Sequence, residues 1–585
     1  ASNNTAFGYY ALLSNTTGSQ VTAVGANALD ANTTGNYSVA VGRNALGANT
    51  TGSSNVGVGL SALAANTTAS NNTAVGMEAL TANTTGDANT AVGAQALDAN
   101  TTGTDNTALG REALTTSTTG IQNTGIGRSS LKNLTTGSFN TAIGYHSMFG
   151  HTTGAHNTGL GRTTLNANSS GGYNVAVGNG ALASNTTASN NVAVGYQSLT
   201  GNTTGAASTA IGYAALDANT TGDQNTACGN NTLGANTTGQ YNTGIGTQAL
   251  INNTTASNNT GLGAFALLAN TTGAENVAVG ANALYANTTA ANNTAIGFAV
   301  LTENTTGQDN TGVGRRSLDA NTTGGFNVGV GGHALSANTT ASNNTAVGYI
   351  ALSDNTTGTQ NVAVGTEALE ANTTADNNTA IGYFAGTAVT TGGNNTAVGS
   401  SSLSGCTTGT VNTAIGFSAG GSITTGGNNV CIGRNAGESS SPSGTITTGS
   451  DDLCLGDNNI GTAFIKVSFT VTSDKRDKTD ITDFTHGLSW INKLRPVTYK
   501  WDMRSNYDNG ISDGSKKEEK INIGLLAQEE LEVEKEHGFA NDKNDMLITN
   551  ENNEGNYGMH YDRLVPILVN AIKELSAKVT ALEAG

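Results

Sequence analysis

The sequence predicts a mainly β protein: a long parallel β-roll or β-solenoid of 17-residue repeats, homotrimeric, then a smaller C-terminal α+β domain ending in a coiled-coil helix. Three observations predict it. The pattern N-T-A-V-G-x-x-A-L-x-A-N-T-T-G-x-x starts at Asn4 and occurs 26 times, to the copy at Asn429, without insertion or deletion. Its fifth position is Gly in every copy, from Gly8 and Gly25 to Gly433. Charge then rises abruptly: residues 1–450 hold 8 Lys+Arg and 17 Asp+Glu, and residues 451–585 hold 16 and 24. A short fixed period marks a solenoid, whose units bury their apolar faces only against one another.

Within a unit, T-A-V-G reads as a short strand, with positions two and four on one face and three and five on the other. Position four is Val, Ile or Leu almost throughout (Val75, Val92, Leu109, Ile126, Ile143), with Phe7 and Cys228 as departures. Position nine is Leu in nearly every copy, as in Leu12, Leu29, Leu46, Leu63 and Leu80. Stacked at about 4.8 Å, both positions should form aliphatic columns, and 26 coils should rise about 125 Å. Ala at positions three and eight keeps the remaining contacts thin. Gly at position five allows a positive φ or a close backbone approach.

N-T-T-G is turn chemistry: Asn tolerates the left-handed region, Thr hydroxyls bond locally and Gly closes the turn. Asn at positions one and twelve should form amide ladders from coil to coil. The N-T-T triplets also match a glycosylation sequon, but turn chemistry accounts for them fully. A helical alternative fails, because N-T-T-G every 17 residues leaves pieces too short to be helices.

The last copies drift. Position nine becomes Gly386, Gly420 and Gly437; an insertion follows, then a final L-C-L-G copy at 453–456 and an alternating stretch, 460–471, that reads as a strand. The expected divisions are therefore a shaft, 1–433, a divergent last repeat and transition strand, 434–472, and a distinct domain, 473–585. Of Cys228, Cys406, Cys431 and Cys454, the last two share position three on successive coils. A disulfide is one reading of that pair; two small buried hydrophobes is the favoured one.

The net charge of −17 argues against nucleic-acid backbone binding. No apolar run approaches 18 residues, so no membrane insertion is expected. No signal peptide is visible and the chain begins at Ala1, so a processed start or an upstream segment is expected. No cofactor or metal is indicated: the cysteines lack C-x-x-C spacing, and His486, His537 and His560 read as surface or satisfied histidines. Trp490 and Trp501 read as core.

The repeat N-T-A-I-G-x-x-A-L resembles the head repeats of trimeric autotransporter adhesins, which are trimeric parallel β-rolls of a shorter unit. The C-terminal part carries four blocks: S-D-K-R-D-K-T-D-I (473–481), G-L-S-W-I-N-K-L-R-P-V-T-Y-K-W (487–501), I-G-L-L-A-Q-E (523–529) and Y-D-R-L-V-P-I-L-V-N-A-I-K-E-L (561–575). In this order they resemble the intramolecular chaperone domain of phage tail fibres, endosialidase tailspikes and neck appendages. That resemblance implies a domain that trimerises, helps upstream β-structure fold in register, then cuts itself off. It implies Ser473 as nucleophile, Lys478 as its base and Thr472–Ser473 as the scissile bond. A Ser hydroxyl needs a neighbour to take its proton, and a Lys can do so when burial or nearby positive charge lowers its pKa. Lys475 and Arg476 add such charge. Without the downstream blocks, S-D-K-R-D-K would read as a solvated charged turn.

Leu568, Ile572, Leu575, Val579 and Leu582 are spaced 4, 3, 4, 3, an a/d seam of about two heptads. An ordinary amphipathic helix is the rival reading on so short a stretch. A slip of one repeat costs the shaft almost nothing, so a unique C-terminal domain is needed to align three chains. These readings converge on a structural fibre for host-surface attachment. Its location would be the virion of a bacteriophage, as a tail fibre, or otherwise extracellular. Its partners would be two further copies, a host-surface glycan or protein, and an upstream virion or tail protein. The alternative is a bacterial surface adhesin or extracellular filament protein. An endosialidase-like enzyme is disfavoured, since Asp30, Glu78, Asp98 and Glu112 are dispersed rather than paired. No activity on external substrates is expected, only a single-turnover Ser–Lys autoproteolysis.

Overall fold

A computed structural model describes residues 1–460, 463–466, 471–504, 507, 510–551 and 555–585. The chain divides into two compact units, 1–341 and 342–585. In the first, twenty three-residue strands, β1 (Thr5–Phe7) to β20 (Val328–Val330), recur one per repeat. From β1 to β20 neighbours pair in parallel in a register that sets like over like: Thr5 against Thr22, Ala6 against Ala23, Phe7 against Val24. Stacking continues around the coil, as Leu29 N–H donates to Ala45 O at 3.0 Å and Thr33 N–H to Thr50 O at 2.9 Å. The second unit opens with the same solenoid, β21 (Thr345–Val347) to β26 (Val430–Ile432), and β27 (Leu453–Leu455) joins β26 across the insertion. The fold is thus the parallel β-solenoid of 17-residue repeats that the period predicts.

The core is narrower than expected. Leu at position nine and Ala at positions three and eight are buried, as in Leu80, Ala74 and Ala79, each 0% exposed. The aliphatic column at position four is not core. Its side chains point out of the sheet: Leu109 is 46% exposed and Ile211 42%. A single three-residue strand has one inner side chain, and position three occupies it. The turn chemistry also differs from expectation. Position twelve is not left-handed; positions seven, nine and seventeen are, as in Asn27, Leu29 and Gln20 (φ 57°, 50° and 56°). Position five needs glycine for two reasons. Gly76 has φ +141°, and a Cβ there would lie 2.5 Å from the carbonyl oxygen of Gly93 on the next coil.

Asn at position twelve is buried and builds the expected ladder. The side-chain amide of Asn32 donates to Asn15 Oδ1 at 2.9 Å, and the chain of bonds runs on through Asn49, Asn66 and Asn83 to Asn100. Ser117, Leu134 and His151 then interrupt it, and the Asn–Asn bonds resume with Asn185 on Asn168. Position one forms a second ladder: Asn72 N–H donates to Asn55 Oδ1 while its own amide reaches Gly86 O.

The drift of the last copies is a volume exchange. Where Gly386 and Gly420 replace the left-handed Leu, with φ +59° and +58°, Val389 and Ile423 replace the Asn of position twelve and are buried. The apolar volume moves across the core, and glycine takes the left-handed position at no steric cost. Cys431 and Cys454 are register partners, buried and unbonded to each other.

After the solenoid, Ala463–Lys466 form no strand. Positions 461, 462 and 467–470 of the expected transition strand lie outside the described residues. The C-terminal domain is α+β. Its β28 (Val497–Tyr499) pairs antiparallel with β29 (Asn522–Gly524), and β30 (Thr549–Glu551) with β31 (Tyr557–Met559). Its helices are α1 (Leu488–Ile491), α2 (Ala527–Glu536) and α3 (Leu564–Glu583). Trp490, Val533, Ile548, Leu564 and Ile567 form its core. Trp501, expected in the core, is 47% exposed. Gly487 lets α1 meet α3: a Cβ there would lie 2.7 Å from Ala571 N.

The volume exchange generates a test. Gly386→Leu should crowd Leu369 and Val389, from which its Cβ would stand 3.1 and 3.5 Å, and cost about 1–3 kcal/mol. Adding Val389→Asn should recover most of that loss, because Asn372 Oδ1 has no partner among the described residues and the new amide would meet it. Urea midpoints of the two single variants and the double variant check this; additive losses would contradict the exchange.

Candidate functional site

The candidate dyad sits where the C-terminal domain begins. Asp474 caps a 3₁₀ turn, Lys475–Asp477, by accepting from Arg476 N–H at 2.9 Å. The turn folds the chain back on itself and brings Lys478 to Ser473: Lys478 Nζ donates to Ser473 Oγ at 2.6 Å. Six residues of sequence therefore place both expected groups in contact. Of the two cations expected to support them, Arg476 is committed elsewhere, forming a 2.6 Å ion pair with Asp474. That pairing holds the Asp474 carboxyl below the usual range, its hydrogen bonds from Arg476 being the cause. Ser473 and Lys478 are both exposed, so no packing in the single chain shields the pair from water.

The arrangement contains the first step of a hydroxyl-activating reaction. The amine, once neutral, can take the Ser473 proton directly, while the hydroxyl oxygen lies one residue from the Thr472 carbonyl.

Residues 473–539 match the family model of the chaperone of endosialidase. The match opens at Ser473 itself. No curated protein matches the chain. A β-solenoid combined with an endosialidase-chaperone segment is the build of a fibre-like protein with an intramolecular chaperone.

Further along the chain, the C-terminal domain is organised by acidic side chains that sequence reasoning did not single out. Glu534, buried on α2, accepts the backbone N–H groups of Leu547, Ile548 and Thr549 at 3.1, 2.6 and 2.6 Å, tying α2 to the start of β30. Glu574 on α3 accepts Leu488 N–H at 3.1 Å and so satisfies the start of α1. Trp490 donates its indole N–H to Glu530 Oε1 at 2.7 Å. His537 stacks on Trp490 with ring centroids 4.6 Å apart and bonds Val533 O through Nδ1. The available signal was an acidic i, i+4 pair, Glu530 and Glu534, on a helix with apolar neighbours. Such pairs usually lie in water, so it pointed the wrong way.

Seam residues Leu568, Ile572, Leu575, Val579 and Leu582 lie exposed along α3, while Leu564, Ile567 and Ala571 are buried. The helix thus has one buried apolar face and one left uncovered in the single chain.

Glu530 makes this domain sensitive to pH. Burial, with Glu534 beside it, pushes its carboxyl up to about 7 against the Trp490 hydrogen bond, and Oε2 has no partner among the described residues. A carboxyl raised in the folded state stabilises it at pH below the unfolded value of 4.5 and loses that contribution as pH rises through about 7. Glu530→Gln keeps an acceptor for Trp490 and removes the titration. Its stability relative to wild type should grow between pH 4.5 and 8, by up to about 3 kcal/mol, in urea unfolding followed by tryptophan fluorescence. A difference independent of pH would contradict this assignment.

Proposed function

We propose that the chain is a bacteriophage tail fibre that assembles as a homotrimer, attaches to a host-cell surface and is aligned by its C-terminal domain. The observation that carries the reading is the family match beginning at the residue that Lys478 contacts. The repeats explain why alignment is needed. Every coil reproduces the same faces, so chains displaced by 17 residues lose almost nothing. A domain of unique sequence ends that degeneracy, and the uncovered seam of α3 supplies a surface for two further copies.

In this reading, folding comes first and cutting second. Ser473 Oγ attacks the Thr472 carbonyl carbon as Lys478 takes the hydroxyl proton. The protonated lysine returns that proton to the Ser473 nitrogen as the peptide bond breaks, and water releases the ester that remains on Thr472. An upstream virion protein would hold the other end of the fibre.

Light scattering of the uncut protein should give about three times 58.5 kDa; a stable monomer would refute the trimer. Ser473→Ala should leave a full-length trimer, and Lys478→Ala should block cutting as well, both by at least 100-fold in rate. Intact mass after folding is the measurement. A wild-type chain that never yields a fragment ending at Thr472 would make residues 473–585 a permanent cap.

A further inference from the structure

Coils seven to ten, which begin at residues 106, 123, 140 and 157, break the pattern of the shaft in several ways at once. Four of the eight Lys+Arg of residues 1–450 lie there: Arg111, Arg128, Lys132 and Arg162. From residue 113 to residue 216 there is no Asp or Glu. The amide ladder of position twelve is interrupted in three of these coils, seven to nine.

Three of those cations share a column. Position six reads Arg111, Arg128, Tyr145 and Arg162 on consecutive coils. Like charges stacked on adjacent strands destabilise a sheet, so this column is a cost to the fold. Glu112 meets only part of it, pairing with Arg111 at 2.7 Å and Lys132 at 2.8 Å. Those two cations pull its carboxyl down to about 2. Among the described residues, Arg128 and Arg162 have no carboxylate partner, and both are exposed.

Beside them stands a stack of rings. Tyr145 and His146 lie 3.9 Å apart at 10°, and His146 and Phe149 4.6 Å apart at 26°. Arg128 stands 5.9 Å from the Tyr145 ring and Lys132 6.0 Å from that of Phe149. The charges converge on His146: its own burial, then Arg128, Lys132 and Arg162, hold it below the usual histidine range. A second ladder in the same coils, Phe139–His156–Tyr173 at position seventeen, repeats the stacking at 4.8 Å and marks this stretch as specialised.

Resting on the attachment reading above, we propose that this surface binds an acidic glycan: the ring stack around Tyr145 packs against the C–H faces of a sugar, and Arg128 and Arg162, one coil to either side, hold its carboxylate or sulfate groups. Guanidinium forks fit both oxyanions, and aromatic rings bind apolar faces without a charge requirement. Four cations on a chain of net charge −17 are too few for a nucleic-acid backbone, which demands clustered Lys and Arg. Arg and Tyr also serve protein interfaces, and the polyglutamate arm below tests an acidic polypeptide as the alternative occupant.

The variants are tolerated by design of the repeat, since position six is Ala in other coils, at Ala26 and Ala94. The test immobilises oligogalacturonate, a sulfated galactan oligosaccharide and a neutral galactan, with polyglutamate and single-stranded oligothymidylate as anionic controls, and measures full-length protein by interferometry. At least one acidic glycan should bind, with the two arms telling carboxylate from sulfate. Tyr145→Ala, and separately Arg128→Ala with Arg162→Ala, should each weaken binding at least tenfold. Arg315→Ala with Arg316→Ala removes equal charge elsewhere and should change it less than twofold. Equal binding to the neutral galactan, polyglutamate or oligothymidylate would overturn the proposal. So would variants that bind like wild type, or binding to neither acidic glycan. A protein that fails here yet remains trimeric and cut at Thr472 leaves the fibre reading standing without this site. Loss of those two behaviours removes the fibre reading whatever the glycan result.

Discussion

The structure depends on one constraint: every residue of the shaft lies against its own equivalent 17 positions away. Because each coil contains a single short strand, the hydrogen-bonded stack is only as good as the closest approach between coils. That approach is set at position five, where the backbone of one glycine faces the carbonyl of the next at a distance no side chain permits. Like-over-like contact then filters the composition. Buried amides are favoured because each Asn is both donor and acceptor for the next, so a polar column is satisfied by repetition alone. Ala and Leu stack without cost. Charges do not, which accounts for the 25 charged residues in positions 1–450 against 40 in the last 135.

The same constraint leaves the shaft without a register mark of its own. Stacking that rewards repetition cannot count coils. Information about register must come from a segment that does not repeat, and such a segment needs an ordinary mixed core. The α+β domain has one, built on Trp490 and held by buried carboxylates that bind backbone N–H groups. The apolar face of α3 that carries Leu568, Ile572 and Leu575 lies outside that core and is exposed.

Much of this architecture was legible in the sequence. The period, the coil boundaries, the amide ladders and the terminal helix follow from residue spacing. The contact between Ser473 and Lys478 was legible only through resemblance, since six charged or polar residues in a row have no preferred pairing of their own. The exposure of position four was missed because alternation identifies two faces of a strand without saying which is inner; the size of Ala74 and the neighbouring Leu80 decide it. Left-handed Leu at position nine was missed because leucine is not a turn residue, and only the stacked neighbours make the conformation affordable. Glu530 and Glu534 were missed because helix periodicity does not show which acidic residues meet a buried N–H.

The Asn ladder has a direction. Each amide of position twelve donates toward the coil before it, so each unbroken run ends at its C-terminal side on a carbonyl with nothing to accept. Asn100 and Asn372 are those last members, and the side-chain oxygen of each has no partner among the described residues. In mechanical terms the shaft is segmented rather than uniform. The coils bonded by the ladder form separate blocks: among the described residues the amide-to-amide bond is missing from Asn100 to His151 and from Asn372 to Ile423, where Ser117, Leu134, His151, Val389, Cys406 and Ile423 hold position twelve.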